Sequence, residues 1–306
     1  MTKKLHTKDI LTLDELSSKE IMSILDLAIE LKKQNKKGKE KPLLQNKILA
    51  MIFEKPSTRT RVSFDTGMFQ LGGHALTLSS DDLQLSRGEL ISDTAKTLSR
   101  YVDAVMARVY DHKSLEIFAK NASVPIINGL SDSFHPCQIL ADILTVKEHK
   151  KNLKKIKIAW VGDGNNVCNS LIICCTKLQI KLAVATPEGY EPEFEIVKAG
   201  KDAKILEVFN KPELAVKEAD VVMTDTFVSI HNTNPDRIKK FLPTFQVTSS
   251  LMKIAKKDAI FMHCLPAKRE QEVTSDVIDG PQSVIWDEAE NRLHVQKALL
   301  VHLLGV

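Results

Sequence analysis

Two short stretches carry residue types that could hold an anion and act on it. The first is Ser57-Thr58-Arg59-Thr60-Arg61, which follows closely on the apolar run Ile48-Leu49-Ala50-Met51-Ile52-Phe53. A strand that gives way to a helix at Ser57 presents a capping hydroxyl, free backbone N–H groups and the positive end of the helix dipole to whatever sits there. That combination suits an anion. Arg59 and Arg61 fall on different helical faces, so one can reach the anion while the other braces neighbouring structure. The bland alternative is an ordinary capped helix with two solvated arginines. The second stretch is His135-Pro136-Cys137-Gln138. Proline suits a first helical position, which places His135 at the cap and Gln138 in the first turn.

The elements that must position these residues alternate regularly. Apolar runs near 47–53, 74–80, 102–108 and 124–128 read as strands, and the patterns near 58–70, 89–99, 112–120 and 136–149 as helices. Such βαβ alternation implies a parallel sheet. Ahead of it, Ser17-Ser18-Lys19-Glu20 fits a capping box that opens a helix from 18 to about 34. After a lysine-rich stretch, 147–157, a second series predicts strands near 156–161, 181–186, 220–224, 259–263 and 283–286. Glu288 to Leu304 reads as a closing helix. The predicted fold is α/β, two doubly wound parallel-sheet domains with a C-terminal helix crossing back to the first domain. The boundaries are 1–148 plus 288–306, and 149–287.

Open parallel sheets bind ligands beyond the carboxyl ends of their strands. There the sequence places Ser57 to Thr60, Arg108, His135 to Gln138, Asp225 and His263-Cys264-Leu265-Pro266. Arginines, a histidine, an amide and hydroxyls at successive strand ends describe a planar, phosphorylated, carbonyl-bearing ligand. Gly162-Asp163-Gly164-Asn165-Asn166-Val167 imitates a dinucleotide fingerprint, but Val167 occupies the third glycine position. The next strand ends Ala185-Thr186-Pro187, without the acidic residue that holds a ribose. Asn165 and Asn166 are therefore read as polar groups facing a cleft.

Bulk properties exclude several classes. A chain of 306 residues exceeds what one core usually supports, which favours two domains of about 150 residues. The formal charge is only +4, and the basic runs Lys32 to Lys41 and Lys147 to Lys157 lack interleaved aromatics, so nucleic acid is not indicated. Five cysteines, odd in number and without ligand spacing, argue against a disulfide framework and a zinc site and for a cytoplasmic protein with reduced thiols. No apolar run approaches the ~20 residues of a membrane span.

Phe53-Glu54-Lys55-Pro56-Ser57-Thr58-Arg59-Thr60-Arg61 resembles the carbamoyl phosphate loop of the aspartate and ornithine carbamoyltransferase superfamily, and His135-Pro136-Cys137-Gln138 resembles its HPxQ motif. The likeness runs over essentially the full length. His263-Cys264-Leu265-Pro266 and Asp287-Glu288-Ala289-Glu290-Asn291-Arg292 are similar to the ornithine branch. The resemblance implies transfer of a carbamoyl group from carbamoyl phosphate to the δ-amine of L-ornithine, giving L-citrulline and phosphate without metal or cofactor. It implies that Ser57, Thr58, Arg59, Thr60 and Arg108 hold the phosphate, with Gln84 reaching in from a neighbouring subunit of a homotrimer or a multiple of trimers. Thr60, Arg108, His135 and Arg292 would polarise the carbamoyl oxygen, and Gln138 with the carbonyls of Cys264 and Leu265 would hold the carbamoyl nitrogen. Asn166, Asp225 and Ser229 match ornithine positions, and Cys264 would position the amine and share its proton. A cis Leu265–Pro266 bond belongs to the same expectation.

One departure bears on the amine. Where ornithine enzymes usually read Ser-Met-Gly, this chain reads Ser229-Ile230-His231, which removes a glycine and introduces a β-branched residue. Putrescine or an acylated ornithine therefore stand as alternative acceptors, and a dinucleotide-binding module is the alternative from another class.

Overall fold

The computed structural model describes residues 4–79, 83–229 and 233–305. Asp82, Ile230 and His231 of the motifs above lie outside the described residues. The chain divides into two compact units, Met1–Leu144 with Glu290–Val306, and Thr145–Ala289.

In unit 1, Ser17 caps α1 (Ser18–Lys36) in a complete capping box with Glu20. Four strands follow: β1 (Ile48–Phe53), β2 (His74–Ser79), β3 (Ala104–Arg108) and β4 (Ile126–Leu130). All pair in parallel in the order β2-β1-β3-β4. β1, β3 and β4 are buried almost throughout, as the continuous apolar runs of a sheet covered on both faces demand. β2 is an edge strand and largely exposed. The intervening helices are α2 (Thr58–Gln70), α3 (Ile91–Leu98), α4 (His112–Asn121) and α5 (Pro136–Lys150). Val105, Leu115, Phe118 and Ile126 belong to the core beneath α3 and α4.

Unit 2 holds the second sheet, β5 (Lys157–Val161), β6 (Lys181–Ala185), β7 (Leu206–Phe209), β8 (Val221–Thr224) and β9 (Ile260–His263), in the order β7-β6-β5-β8-β9. It is again parallel throughout. The helices of this series are α6 (Asn166–Leu178), α7 (Phe194–Asp202), α8 (Pro212–Val216), α9 (Ile238–Phe241), α10 (Ser249–Met252) and α11 (Ser275–Ile278). The chain ends in α12 (Ile285–Leu304), whose residues from Glu290 onward belong to unit 1.

Two expectations need correction. The segment 283–286 is not a strand: Phe261 and Ser283 make one parallel bridge, and α12 begins at Ile285. Val284 donates its N–H to Phe261 and the backbone then turns helical, with Asp287 and Glu288 in the favourable first turn. The second correction adds a strand, β7, a four-residue edge element half-exposed along much of its length.

Strand order locates the switch points. Unit 1 reverses direction between β1 and β3, and unit 2 between β5 and β8. Ligand crevices of doubly wound sheets lie at the carboxyl ends of such neighbours.

Candidate functional site

In unit 1 the chain leaves β1 and reaches Ser57, the cap of α2, whose side chain accepts from Thr60 N–H at 3.4 Å. Thr60 is buried, and its hydroxyl accepts from Arg292 Nη2 at 3.2 Å. Arg292 Nη1 donates to the Gln138 amide oxygen. Gln296, with its amide oxygen turned toward Arg292, accepts from Nη2 and Nε at 3.2 and 3.3 Å while its nitrogen donates to Ser63. One guanidinium thus joins α2, α5 and α12. A hollow of about 620 Å³ opens beside this helix end, lined by residues including Lys55, Ser57, Thr58, Arg61, Thr77 and Ser79. Its lining includes Arg61 rather than Arg59, which is half-buried on α2.

Arg108 ends β3, where the register with β4 shifts: Ala107 faces Asn128, but Arg108 faces Leu130. A bulge of this kind re-aims the side chain that follows it. Gly129 is the extra residue, and a Cβ there would sit 2.3 Å from Met106 Sδ. The buried Asn128 amide donates to the carbonyl of Leu11 at 2.7 Å and holds the next turn by donating to Ser131 Oγ at 3.3 Å and to the carbonyl of Phe134 at 3.4 Å. His135 follows, buried, and its carbonyl accepts from Gln138 and Ile139 N–H as α5 starts at Pro136. Lys55, to which the sequence alone assigns no role, lies over the Tyr110 ring at 3.6 Å. Burial, and then repulsion from Arg108, brings its ammonium down to about 8.

Gln84 stands apart from this cluster. It is exposed on the short 3-10 helix Gln84–Arg87, and its side chain accepts a hydrogen bond from Arg87 at 3.5 Å.

In unit 2 the groups are acidic and amide-rich. Asp225, just past β8, is buried and accepts from Asn165 Nδ2 at 2.8 Å and from Cys264 Sγ at 3.2 Å. Sequence reasoning misses Asn165 as a partner of Asp225 because the two are 60 residues apart; its side chain also caps α6. Asn166, the first residue of that helix, is buried, and Ser229 is half-buried. The Gly162-Asp163-Gly164 turn now has a physical account. Gly162 takes φ +130°, and a Cβ on Gly164 would meet Pro192 N at 2.3 Å. Asp163 pairs with Arg237 at 2.9 Å, and Arg237 lies over the Tyr190 and Phe241 rings. Burial pushes the Asp163 carboxyl up to about 6, against the pull of Arg237.

The loop after β9 is fixed by a buried pair. His263 Nε2 lies 3.1 Å from Glu272 Oε1, and Nδ1 accepts from Leu265 N–H at 2.9 Å. Leu265, held this way, has φ +57°, a region an L residue enters only when its surroundings impose it. The Leu265–Pro266 bond is cis, as expected, and so is Leu242–Pro243. Among the described residues, Asp225, His263 and Cys264 form the one group whose ligand atoms could hold a metal, all within 4.8 Å of one another. Both His263 ring nitrogens are already engaged, by Leu265 N–H and by Glu272, so the ring is committed to the loop.

Residues 8–148 match the family model described as aspartate/ornithine carbamoyltransferase, carbamoyl-P binding domain, and residues 154–303 match its Asp/Orn binding domain. The chain is 56% identical over 300 residues to the ornithine carbamoyltransferase of Cenarchaeum symbiosum, covering 98% of this chain and 99% of that one. To the Pyrococcus abyssi ornithine carbamoyltransferase it is 55% identical over 311 residues, covering 100% and 98%. Among solved structures, the ornithine carbamoyltransferase from Pyrococcus furiosus superposes with a TM-score of 0.93 at 54% identity over 97% of each chain. The Thermus thermophilus structure of the same name gives 0.90 at 39% identity, over 98% and 99%.

Proposed function

The chain belongs to the aspartate/ornithine carbamoyltransferase family, and from that premise we propose that it transfers the carbamoyl group of carbamoyl phosphate to the δ-amine of L-ornithine, releasing L-citrulline and phosphate. The observation that carries this reading is the joining of Thr60, Gln138 and Arg292 beside the capped end of α2. The guanidinium and the Thr60 hydroxyl are preorganised donors of the kind that stabilise a tetrahedral oxyanion. Ser57, Thr58, Arg59 and Arg108 take the phosphate, and Thr60, Arg108, His135 and Arg292 the developing charge on the carbamoyl oxygen. In unit 2, Asp225 pairs with the α-ammonium of ornithine while Asn166 and Ser229 address the rest of its α-carbon groups. Ornithine's δ-ammonium, an aliphatic amine of pKa about 10.4, must first give up one proton, by way of Cys264, whose sulfur already touches Asp225. The free amine then attacks the carbamoyl carbon, the C–O bond to phosphate breaks, and the second proton, shed from the attacking nitrogen, leaves with the phosphate. In this reading unit 1 is the carbamoyl phosphate-binding domain and unit 2 the ornithine-binding domain, with no metal or cofactor taking part.

The reading extends to assembly and setting. A homotrimer is supported by exposed Val62 (56%), Phe69 (81%) and Leu76 (40%) along α2 and the β2 edge. Gln84, exposed in its own subunit, then completes a neighbour's site. Five free thiols fit the cytoplasm. Arginine synthesis is favoured by the name of one relative, the anabolic ornithine carbamoyltransferase of Pyrococcus furiosus, 53% identical over 311 residues.

A citrulline colour assay with ornithine, putrescine, N-acetylornithine and aspartate as acceptors tests the function. Ornithine should give the highest kcat/KM by at least about tenfold; a preference for putrescine or N-acetylornithine would replace the acceptor, and no product from any of the four would remove the reading.

A further inference from the structure

The turn Gly162-Asp163-Gly164-Asn165 imitates a nucleotide fingerprint, and no substrate contact accounts for its acid. The turn is firmly held: the Asp163 carbonyl accepts from Trp160 Nε1 at 2.9 Å, while Gly162 N–H donates to Ala185 and Gly164 N–H to Tyr190, both at 2.9 Å. Two of its side chains reach one length of chain. Asn165 Nδ2 donates to Asp225 Oδ2 at 2.8 Å, and Asp163 Oδ2 pairs with Arg237 Nη2 at 2.9 Å. The segment from Asp225 to Arg237, which carries Ser229, is therefore fastened at both ends to a single turn. Near the first fastening Phe227, fully buried, stacks on Phe241 at 4.4 Å. The second is an ion pair in an aromatic box, its guanidinium 5.1 Å from the Tyr190 ring centroid and 5.5 Å from that of Phe241. Asp163 is 4% exposed and Arg237 9%, so loss of either charge leaves the other buried without compensation. We infer that Asp163 and Arg237 are a positioning pair for the acceptor amino acid, fixing the far end of the Ser229 segment, and that acceptor affinity depends on the pair being charged.

The inference rests on the ornithine reading of unit 2 and deepens it, adding a control by acid that the reacting groups do not supply. The two fastenings answer differently to a proton. The Asn165 amide has no charge to lose, whereas the ion pair exists only while the Asp163 carboxyl is ionised. Burial pushes that carboxyl up to about 6, with Arg237 opposing and Asp225 adding to the rise. The groups facing it are Arg237 from the 3-10 helix Pro235–Arg237, Asp225 from the end of β8 and Cys168 from the first turn of α6. The Cys168 thiol, held well above its ordinary range by burial and by Asp163, stays protonated throughout. As pH falls through about 6, Asp163 takes up a proton and the ion pair is lost. A negative charge near Asp225 goes with it, which weakens the pull on a cationic amine. Both effects lower acceptor affinity in acid, and neither involves the residues that take the phosphate.

The probe is L-norvaline, which is ornithine with hydrogen in place of the δ-amino group and so has no reacting amine to titrate. Its dissociation constant is measured by calorimetry from pH 5 to 8, with carbamoyl phosphate saturating, for the wild type, Asp163→Asn, Arg237→Gln and His231→Gln. The wild-type constant should be level above pH 7 and about fivefold higher at pH 5. Asp163→Asn should abolish the change with pH and stand near the wild-type value at pH 5. Arg237→Gln removes the charge that draws the carboxyl down, so its limb should move to higher pH. His231→Gln is the control for the histidine of the same segment, which lies outside the described residues, and should keep the wild-type limb. The dissociation constant of carbamoyl phosphate alone should stay within about twofold in every variant. A merely structural pair would weaken L-norvaline equally at every pH and leave the limb in place; that result, a level wild-type profile, or a limb lost with His231 overturns the inference. If Asp163→Asn does not fold, Arg237→Gln decides, since a limb at the wild-type position overturns the inference as well. A wild type that binds no L-norvaline at any pH and makes no citrulline defeats the ornithine reading instead, so the two failures are told apart.

Discussion

The two units share one architecture and present opposite chemistry. Each is a doubly wound parallel sheet whose candidate groups stand beyond the carboxyl ends of the strands at its switch point and of the next strand along. Unit 1 offers hydroxyls, an amide and arginines, tied together across three helices by Arg292. Unit 2 offers Asp225 with Asn165 and Cys264 gathered on it, and beside it two further pairs, Arg237 with Asp163 and His263 with Glu272. Unit 1 thus presents donors at helix ends, which suit a dianion, and unit 2 a carboxylate on a loop, which suits a cationic amine. The fold supplies only the address; the charge is set by the few residues after each strand.

Breaking the anionic side should have the largest effect. Arg59→Ala is expected to lower kcat/KM for carbamoyl phosphate about 10²–10³-fold, and Arg59→Lys to recover little of it, because a point charge lacks the bidentate fork. Near-normal turnover by Arg59→Ala would shift the phosphate to Arg61, which lines the hollow.

On the other side, Glu272→Ala leaves His263 Nε2 and the Lys268 N–H without their acceptor, each worth roughly 1–3 kcal/mol. The Leu265 turn should loosen, and the KM of ornithine should rise while that of carbamoyl phosphate holds. A KM change confined to carbamoyl phosphate would contradict the division of labour between the units.

Cys264 sharpens the comparison at a single atom. Cys264→Ser keeps a donor to Asp225 and Cys264→Ala removes it, so kcat should fall further in the alanine variant, about a hundredfold, with a displaced pH–rate limb. Unchanged profiles in both would leave only the backbone carbonyl with a role. Mass spectrometry of the protein during turnover should find no carbamoylated Cys264.

The smallest effect concerns acid stability in unit 1. His294 is buried beside Glu290, and burial, reinforced by Lys297 and Lys32, brings its imidazole down to about 4. The unfolded chain takes up the proton near pH 6.5, before the folded one does. Stability from this group is therefore complete above pH 6.5 and lost as pH falls toward 4. His294→Gln should flatten that stretch of the stability curve in urea titrations; an unchanged slope would assign the acid sensitivity elsewhere.

Legibility follows the range of the interaction. The strands with continuous apolar runs, the Ser17 capping box and the helix starting at Pro136 are readable because their causes lie within a few residues. The same holds for the strand-end positions of Thr60, Arg108 and Asp225, which follow from alternation and topology alone. Asp163, Gln296 and Glu272 are not readable: an acid in a turn or a loop declares nothing until its partner is known, and Gln296 acts on a guanidinium that also holds Thr60, 232 residues away in sequence. The false strand at 283–286 has a local cause, a β-branched run that makes one bridge before α12 takes over. β7 escapes notice because Leu206-Glu207-Val208-Phe209 is short and edge-like, with an acidic residue inside it.

The discontinuity of unit 1 in the sequence has a consequence for how the protein is born. During vectorial synthesis Thr60 and Gln138 leave the ribosome long before Arg292, which is 232 and 154 residues further on. At about 5–20 residues per second the delay is on the order of ten seconds or more. Unit 2, continuous from Thr145 to Ala289, can complete itself in that interval, whereas the first sheet waits with its α12 partners missing. The link that Arg292 makes between Thr60 and Gln138 therefore closes only as α12 emerges, after the whole of unit 2 has been synthesised.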